Sequence, residues 1–562
     1  MQKVSLKKDM SKYTIGIDFG SLSARAVLVD TADGRQLGES VMNYPHAVIS
    51  ERLPATGEAL PPDWALQAPS DYLECLEFVI RGAIADAKID KNDIIGIGID
   101  FTTCTVLPIL ADGTPLAALD EFRTNPHAYV KLWKHHGATK YADAMTAAAK
   151  ARGESFLDCC GGKVDSEWLF PKLWQVLEES PEVYNAADGF IEAGEWVTMM
   201  LTGRRVRGYV YSAIKAHYIE EEGGYPSEEY FASLNEGLRH VVRDKLDAPM
   251  VRIGELAGYV TAEAAERFGL PEGIAVAAPL PDAHSSAISL GLANDGDLCS
   301  IMGTSTCNLL VSHQRKIVDG ICGVIKESVL PGYYGYEAGL CCVGDLFAWA
   351  EKNCTSPEYV REAEERGMPM IKLLVEKAAK KAPGESGIVA LGWFNGNRNL
   401  LVDPTRSGMM VGMTLATRPE DIFRALIEST AFGIRNILEA IEGAGVQVGR
   451  FIAAGGIARK DPFTMQLYAD ILGRKIHIAT TAQACALSGA ITSASVAGAE
   501  KGGYNSLPEA IAHMASSTDR VYTPDPDASA IYDKLYAEYM TLHDYFGRGE
   551  NDVMRRLRNI SN

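Results

Sequence analysis

Two short turns in this chain have the composition of phosphate grips, and two acids lie where phosphoryl chemistry would need them. The first turn closes the run Tyr13-Thr-Ile-Gly-Ile-Asp-Phe-Gly-Ser21 and leads into Ser23-Ala-Arg-Ala-Val-Leu-Val-Asp30. The second closes Leu298-Cys-Ser-Ile-Met-Gly-Thr-Ser-Thr306 and leads into Cys307-Asn-Leu-Leu-Val-Ser312. Each reads as an apolar strand, a tight Gly-Ser/Thr turn and another apolar strand. Such a turn offers backbone N–H groups and small hydroxyls to an anion, with no bulky Cβ in the way. Gly20 and Ser21, with Gly303 and Thr304, are therefore the candidate phosphate contacts. Asp18 ends the first strand beside its turn. One reading makes it a Mg²⁺ ligand next to the phosphates of ATP; the other makes it an acid that caps its own turn. Asp282, in Pro279-Leu-Pro-Asp-Ala-His284, could take the proton of a hydroxyl that attacks phosphorus, or be a plain loop acid after Pro281. His284 reads as a hydrogen-bonded structural histidine. Arg25 is placed to pair with acids near the first turn, either structurally or for function.

A third small-residue turn, Gly455-Gly456, follows the strand Phe451-Ile-Ala-Ala454 and opens a helix through Lys460. It suits a flat adenine or a phosphate approaching the backbone, although glycine pairs are usually only turns. The sequence G-x-x-x-x-G-K-[ST] occurs nowhere, and Gly96-Ile-Gly98 leads into Ile-Asp-Phe rather than a helix. P-loop and dinucleotide-binding readings lose their support accordingly.

The elements that must hold these residues alternate in type. Strands are expected at 13–19, 24–30 and 36–43, with Asp33-Gly34 as the hairpin turn. A helix runs from Ser70 to about Lys88, and Ile94–Asp100 is a buried strand. That strand ends at Phe101-Thr-Thr-Cys-Thr105. Ligands of open α/β sheets sit beyond strand C-termini, so this loop is a site candidate. Helices are expected over 126–150, 166–180, 192–202, 227–245 and 261–268, with a hairpin or loop at 204–210 and a strand at 274–278. After a junction near 265–290, helices follow at 341–352, 357–380, 418–443, 460–473 and 526–547, with a strand at 450–454. The tryptophans 133, 168 and 174 read as core, Trp168 being placed to border a ligand.

The chain has 562 residues, too many for one core, so at least two domains are expected. Its net charge of −19 disfavours a nucleic-acid partner, which wants a basic face. The eleven cysteines are scattered with no C-x-x-C pair, which fits structural thiols in a reducing, cytoplasmic setting. Residues 1–9 lack an apolar leader core, and no apolar run is long enough for a membrane span.

These pieces, in this order, resemble the FGGY carbohydrate kinases of the actin-like ATPase superfamily. The Asp18 turn is similar to the family's first phosphate motif, Gly303-Thr-Ser-Thr306 to the second, and Ala453-Ala-Gly-Gly456 to the adenosine motif. Phe170-Pro-Lys-Leu-Trp174 resembles the first FGGY signature. Ser407-Gly-Met-Met-Val-Gly-Met413, spaced from Ala425-Leu-Ile-Glu428, resembles the second, with Leu426 departing from its usual set. The resemblance runs from about residue 13 to 545 and is strongest to the branch that acts on L-ribulose. It is carried there by Gly96–Thr105, Asn125–His136, Gly161–Trp168, Gly320–Gly323, Tyr336–Gly339, Trp393–Gly396 and Gly455–Lys460.

The resemblance implies an α/β fold of two actin-like ATPase (ribonuclease H-like) domains with a cleft between them. Residues 12–285 would carry sugar binding and the first phosphate motif, and 286–545 the second phosphate and adenosine motifs. It implies ATP-dependent phosphorylation of L-ribulose at its 5-hydroxyl to L-ribulose 5-phosphate, in L-arabinose catabolism. Asp282 would be the base, and Thr103, Lys215, Asp282 and Glu337 would hold the sugar. Gly20, Ser21, Gly303, Thr304, Gly455, Gly456 and Lys460 would contact ATP, and Asp18 would hold Mg²⁺. The expected partners are a small sugar and ATP, not nucleic acid or membrane, with a homodimer as the family expectation. Two departures stand out: His135 replaces an acid found in many relatives, and the Lys215 segment is one residue shorter than the usual pattern. The alternatives are an FGGY kinase for another sugar, such as D-ribulose or xylulose, and an ATP-driven actin-like switch.

Overall fold

The computed structural model describes residues 11–561; residues 1–9, read above as lacking a leader, lie outside the described residues. Contacts divide the chain into two compact units. The first holds the described residues up to Ala293 together with Ile325–Tyr333 and Gln483–Ser516; the second holds Asn294–Val324, Tyr334–Ala482 and Ser517 onward. Two later segments thus pack with the first unit by contacts.

In the first unit, strand Tyr13–Phe19 pairs antiparallel with Ser23–Asp30, which pairs antiparallel with Gln36–Asn43. On its other side it runs parallel to Ile94–Phe101. Ala275–Ala277 then adds in parallel and Leu256–Tyr259 antiparallel, while Leu280–Pro281 pairs in parallel with the last residues of Ile94–Phe101. The two central strands are almost wholly buried, as continuous apolar runs in a sheet covered on both faces should be. Ile15, Leu28 and Gly38 stand in register on one face, under helix Pro69–Ala87. That helix buries Tyr72, Cys75, Leu76, Val79, Ile80 and Ala83 at helical spacing.

The opposite face is covered by Ala484–Ala497, a helix the sequence reading did not include. Its run of Ala, Ser, Gly and Thr has no polar side, so it lacks the periodic contrast that marks a surface helix. Its small residues let it lie directly on the strands. A Cβ on Gly16 would stand 1.6 Å from the Ala486 carbonyl oxygen, and one on Gly98 would stand 2.2 Å from that of Gly489. This backbone-to-backbone contact is what draws residues 483–516 back to the first unit.

The second unit repeats the strand-turn-strand opening. Leu298–Met302 pairs antiparallel with Thr306–Ser312 and parallel with Phe451–Ala454, which pairs in parallel with Ile476–Ala479. Tyr334–Ala338 and Thr518–Tyr522 extend the sheet on its two sides. The long helix Pro419–Gly443 lies in its core, with Arg424 bound to Glu428 at 2.9 Å and donating to the Tyr532 hydroxyl at 2.7 Å.

Other expectations were too coarse. The helix expected over 126–150 begins only at Thr139, because Val130–Lys131 is a strand paired with Leu66–Gln67 and with Val106. The helix over 227–245 stops at Leu234, where Asn235 is extended and caps the next turn. The helix over 357–380 is two, Pro357–Glu365 and Met370–Ala378, separated by Gly367 at φ +58° and Pro369. In the 204–210 region, Arg207–Gly208 is a short strand that opens helix Tyr209–Lys215. Among the described residues, no helix is long and apolar enough to cross a membrane.

Gly98→Ala should force the sheet and the small-residue helix apart, at about 1–3 kcal/mol. Calorimetry is expected to show a lower melting midpoint; an unchanged midpoint would mean that the helix can move off the strands without loss.

Candidate active site

Strand register brings the acids of the first unit together. Asp18 pairs with Asp100 across the parallel strands, and Leu280 pairs with Asp100 on the other side. Asp282 lies two residues past Leu280 and starts helix Asp282–Ser289. All three acids thus stand at the C-terminal ends of parallel strands, where open α/β sheets bind ligands. A carboxylate oxygen of Asp18, one of Asp100 and the Cys485 thiol lie within 4.8 Å of one another. Cys485 and Ser286 both meet the Asp282 carbonyl oxygen, at 3.2 and 3.1 Å.

Arg25 sits opposite Asp18 in the antiparallel pair and holds its guanidinium 3.4 Å from the Asp18 carboxylate. Burial raises the Asp18 pKa, with Arg25 pulling the other way. Asp100 is pushed much further up, by burial first and then by the charges of Asp18 and Asp282. It is wholly buried, and no N–H or hydroxyl donor among the described residues reaches its oxygens, only the Asp18 carboxyl. The sequence reading gave Asp100 no role, although an acid at the end of an otherwise apolar strand was the available signal.

The first turn is held from behind. Gly20 N–H donates to Ser23 O at 3.0 Å, and the Tyr44 hydroxyl donates to Gly20 O at 2.8 Å. Gln67 donates to Ser21 O at 2.9 Å, and the Trp133 indole N–H donates to Ser21 Oγ at 2.8 Å. Trp133, read as core, is a half-buried clamp on this turn. A Cβ on Gly20 would meet nothing nearer than Ser23 O at 3.6 Å. The protein's own packing does not demand glycine there, and the space beside it is open to an anion.

The Thr102–Thr105 loop is fixed by two buried charges. Lys172 Nζ donates to Cys104 O at 2.5 Å and to Leu132 O at 2.9 Å, and Glu192 accepts the Thr105 N–H at 2.9 Å. Burial and the neighbouring Glu195 push Glu192 up to about 8. Cys104 takes the left-handed φ of +57°. Within the loop only Thr103 is partly exposed. Lys215 ends helix Tyr209–Lys215 with its ammonium 5.7 Å from the Trp168 ring centre, and its charge acts on the Cys104 thiol. The Tyr211 hydroxyl donates to Leu280 O at 2.7 Å, which ties this helix to the strand before Asp282. His135 is buried, bound to Gln175 Oε1 at 2.9 Å and to the Ala65 amide at 3.3 Å. Burial holds it neutral, so it is structural.

In the second unit, Ile301 pairs with Ala454, so the Gly303 turn and the Gly455 turn share one end of the sheet. Gly455 has φ +97°, and a Cβ there would stand 2.3 Å from Met302 O, so only glycine fits. Gly303 and Gly456 meet no such wall: the nearest atom to a Cβ on Gly303 is 3.9 Å away, and nothing lies within 4 Å of one on Gly456. Gly303, Thr304, Gly456 and Lys460 are exposed. Glu337 lies on Tyr334–Ala338 opposite Leu309. Asp18, Gly20, Ser21, Thr103, Lys215 and Asp282 thus lie in the first unit, and Gly303, Thr304, Glu337, Gly455, Gly456 and Lys460 in the second.

Residues 13–289 match the N-terminal domain of the FGGY family of carbohydrate kinases, and residues 298–498 match its C-terminal domain. The chain belongs to the FGGY family of carbohydrate kinases. It is similar to the ribulokinase of Halalkalibacterium halodurans, 46% identical over 548 residues that cover 98% of this chain and 97% of that one. The ribulokinase of Bacillus licheniformis is 47% identical, covering 96% and 98%. Among solved structures, the xylulose kinase of Rhodospirillum rubrum superposes with a TM-score of 0.77 at 22% identity, over 95% of this chain and 98% of that one. The two units are thus actin-like ATPase (ribonuclease H-like) domains. As an FGGY enzyme the protein is a sugar kinase, in a family that takes a small sugar and ATP.

Replacing Trp133 by Phe in this FGGY kinase removes the donor that fixes Ser21. One lost hydrogen bond of about 1 kcal/mol should raise the ADP dissociation constant about fivefold by calorimetry. Unaltered affinity would remove the Ser21 turn from nucleotide binding.

Proposed function

We propose that the protein transfers the γ-phosphoryl group of ATP to the 5-hydroxyl of L-ribulose, giving L-ribulose 5-phosphate in cytoplasmic L-arabinose catabolism. One observation carries the mechanism: the strand register that sets Asp282 at the same sheet end as Asp18 and the open Gly20-Ser21 turn. Near-full-length similarity to proteins named ribulokinase supports the choice of sugar.

Asp282 accepts the proton of the attacking hydroxyl. Its Oδ1 takes the Ala283 N–H at 2.7 Å, which fixes the carboxylate's orientation. Lys215 and the partly exposed Thr103 hydroxyl offer donors to sugar oxygens, and Glu337 offers an acceptor. The amides and hydroxyls of Gly20-Ser21 and Gly303-Thr304 hold phosphate oxygens, while Gly455, Gly456 and Lys460 serve the adenosine side. The Asp18 carboxylate, a hard oxygen donor at a strand end, fits Mg²⁺. When bound, that ion neutralises charge on the phosphates during transfer.

ADP release is to be followed with MgATP and a panel of ketopentoses, aldopentoses and glycerol. L-ribulose is expected to give the highest kcat/KM; preference for another sugar would keep the kinase and discard the substrate, and sugar-independent turnover would favour a switch. Asp282→Asn should lower kcat by about 10²–10⁴-fold while ATP binding persists. Near-normal turnover in that variant would remove Asp282 from the mechanism.

A further inference from the structure

Asp100 is the anomaly of the first unit. Its carboxylate is fully buried, no N–H or hydroxyl donor among the described residues reaches its oxygens, and the side chain within hydrogen-bonding reach is another acid, Asp18. A buried carboxylate normally has donors or a cation, because leaving it bare is costly. Here its near neighbours are further acids: Asp18 beside it in the strand register, and Asp282, whose charge it also feels. Arg25 brings its positive charge to Asp18, not to Asp100.

We infer that Asp100 is a direct ligand of the divalent cation that serves phosphoryl transfer, and that Asp18 and Asp100 hold the ion between them. The inference rests on the reading that such an ion binds beside Asp18. The span fits. Mg–O bonds of about 2.1 Å put ligands on opposite sides of the ion about 4.2 Å apart, and the Asp18, Asp100 and Cys485 ligand atoms lie within 4.8 Å of one another. Mg²⁺ is commonly held by one or two carboxylates, with water and substrate phosphates filling the remaining positions. The open Gly20-Ser21 turn lies just past Asp18 in the chain. Cys485 is the third donor atom in the cluster, and a thiol is a poor ligand for a hard ion. Its place in the shell therefore goes to an oxygen.

Mn²⁺ binding to the full-length protein, read from loss of the free-ion resonance signal with and without ADP, tests the assignment. The wild type is expected to show one site that Asp100→Asn weakens about tenfold or more. Mn²⁺ should raise the melting midpoint of the wild type but not that of Asp100→Asn. The metal-free variant should melt no lower than the wild type, because an amide of the same shape replaces a buried carboxyl crowded by another acid. That last measurement separates a lost ligand from a damaged fold. Mn²⁺ affinity in Asp100→Asn within twofold of the wild type, or no Mn²⁺ site in the wild type with or without ADP, overturns the inference. The kinase reading is scored apart from this, by sugar-dependent ADP release from the wild type. A protein that loses its Mn²⁺ site in Asp100→Asn yet never turns over sugar would keep the cation site and lose the kinase.

Discussion

The first unit depends on one close contact, the small-residue helix Ala484–Ala497 lying on strands Tyr13–Phe19 and Ile94–Phe101. Where Gly16, Gly98 and Gly489 meet, there is no room for a Cβ on either side. The two strands are locked in parallel register beneath it, and that register aligns Asp18 with Asp100 and Asp100 with Leu280. The same helix carries Cys485 to the acids and ties Ser488 to Ser285 O. A packing constraint between backbones thus becomes the geometry of the site. The small residues of residues 484–497, which look featureless along the chain, are what the sheet requires.

A second layer of buried charge supports the loop beside these acids. Lys172 and Glu192 hold Thr102–Thr105 from two directions, and Glu192 also caps helix Ala193–Thr202 together with Glu195. Glu195 in turn pairs with buried Arg207 at 3.1 Å and accepts the Gly208 N–H at 2.7 Å. Buried pairs of this kind add little net stability over apolar packing, but they fix geometry because each group is costly to leave alone. Here they place the half-exposed Thr103 and lead into helix Tyr209–Lys215, whose last residue is Lys215. Membership of the FGGY family agrees with this division of labour, since Lys172 belongs to the Phe170–Trp174 segment that resembles its first signature.

Much of the candidate site was legible as residue types. Gly20-Ser21, Gly303-Thr304 and Gly455-Gly456 announced themselves as small, hydroxyl-bearing turns after apolar strands, and Asp18 and Asp282 as acids beside such strands. The central strands were legible because they are continuous apolar runs. The part played by Trp133 was not, and Asp100 showed only as an acid ending an apolar strand. An indole N–H that clamps a turn 112 residues earlier leaves no local trace, and an acid within a buried strand gains meaning only from its neighbours across the sheet. Helices broken by Asn235, Gly367 and Pro369 were read as continuous, because the apolar spacing carried across the breaks.

The sequence by itself determined the chemistry on offer: which turns can take an anion, which side chains can hold a proton or an ion, and which segments must be buried. Those properties belong to residue type and short-range spacing. The tertiary structure alone decided which of them meet. Parallel pairing joins residues 18, 100 and 280 only after long stretches of intervening chain have folded, and the return of 483–516 to the first unit follows from a fit between glycine-bearing surfaces. Contacts of that kind depend on register and close approach in three dimensions, which no local pattern encodes.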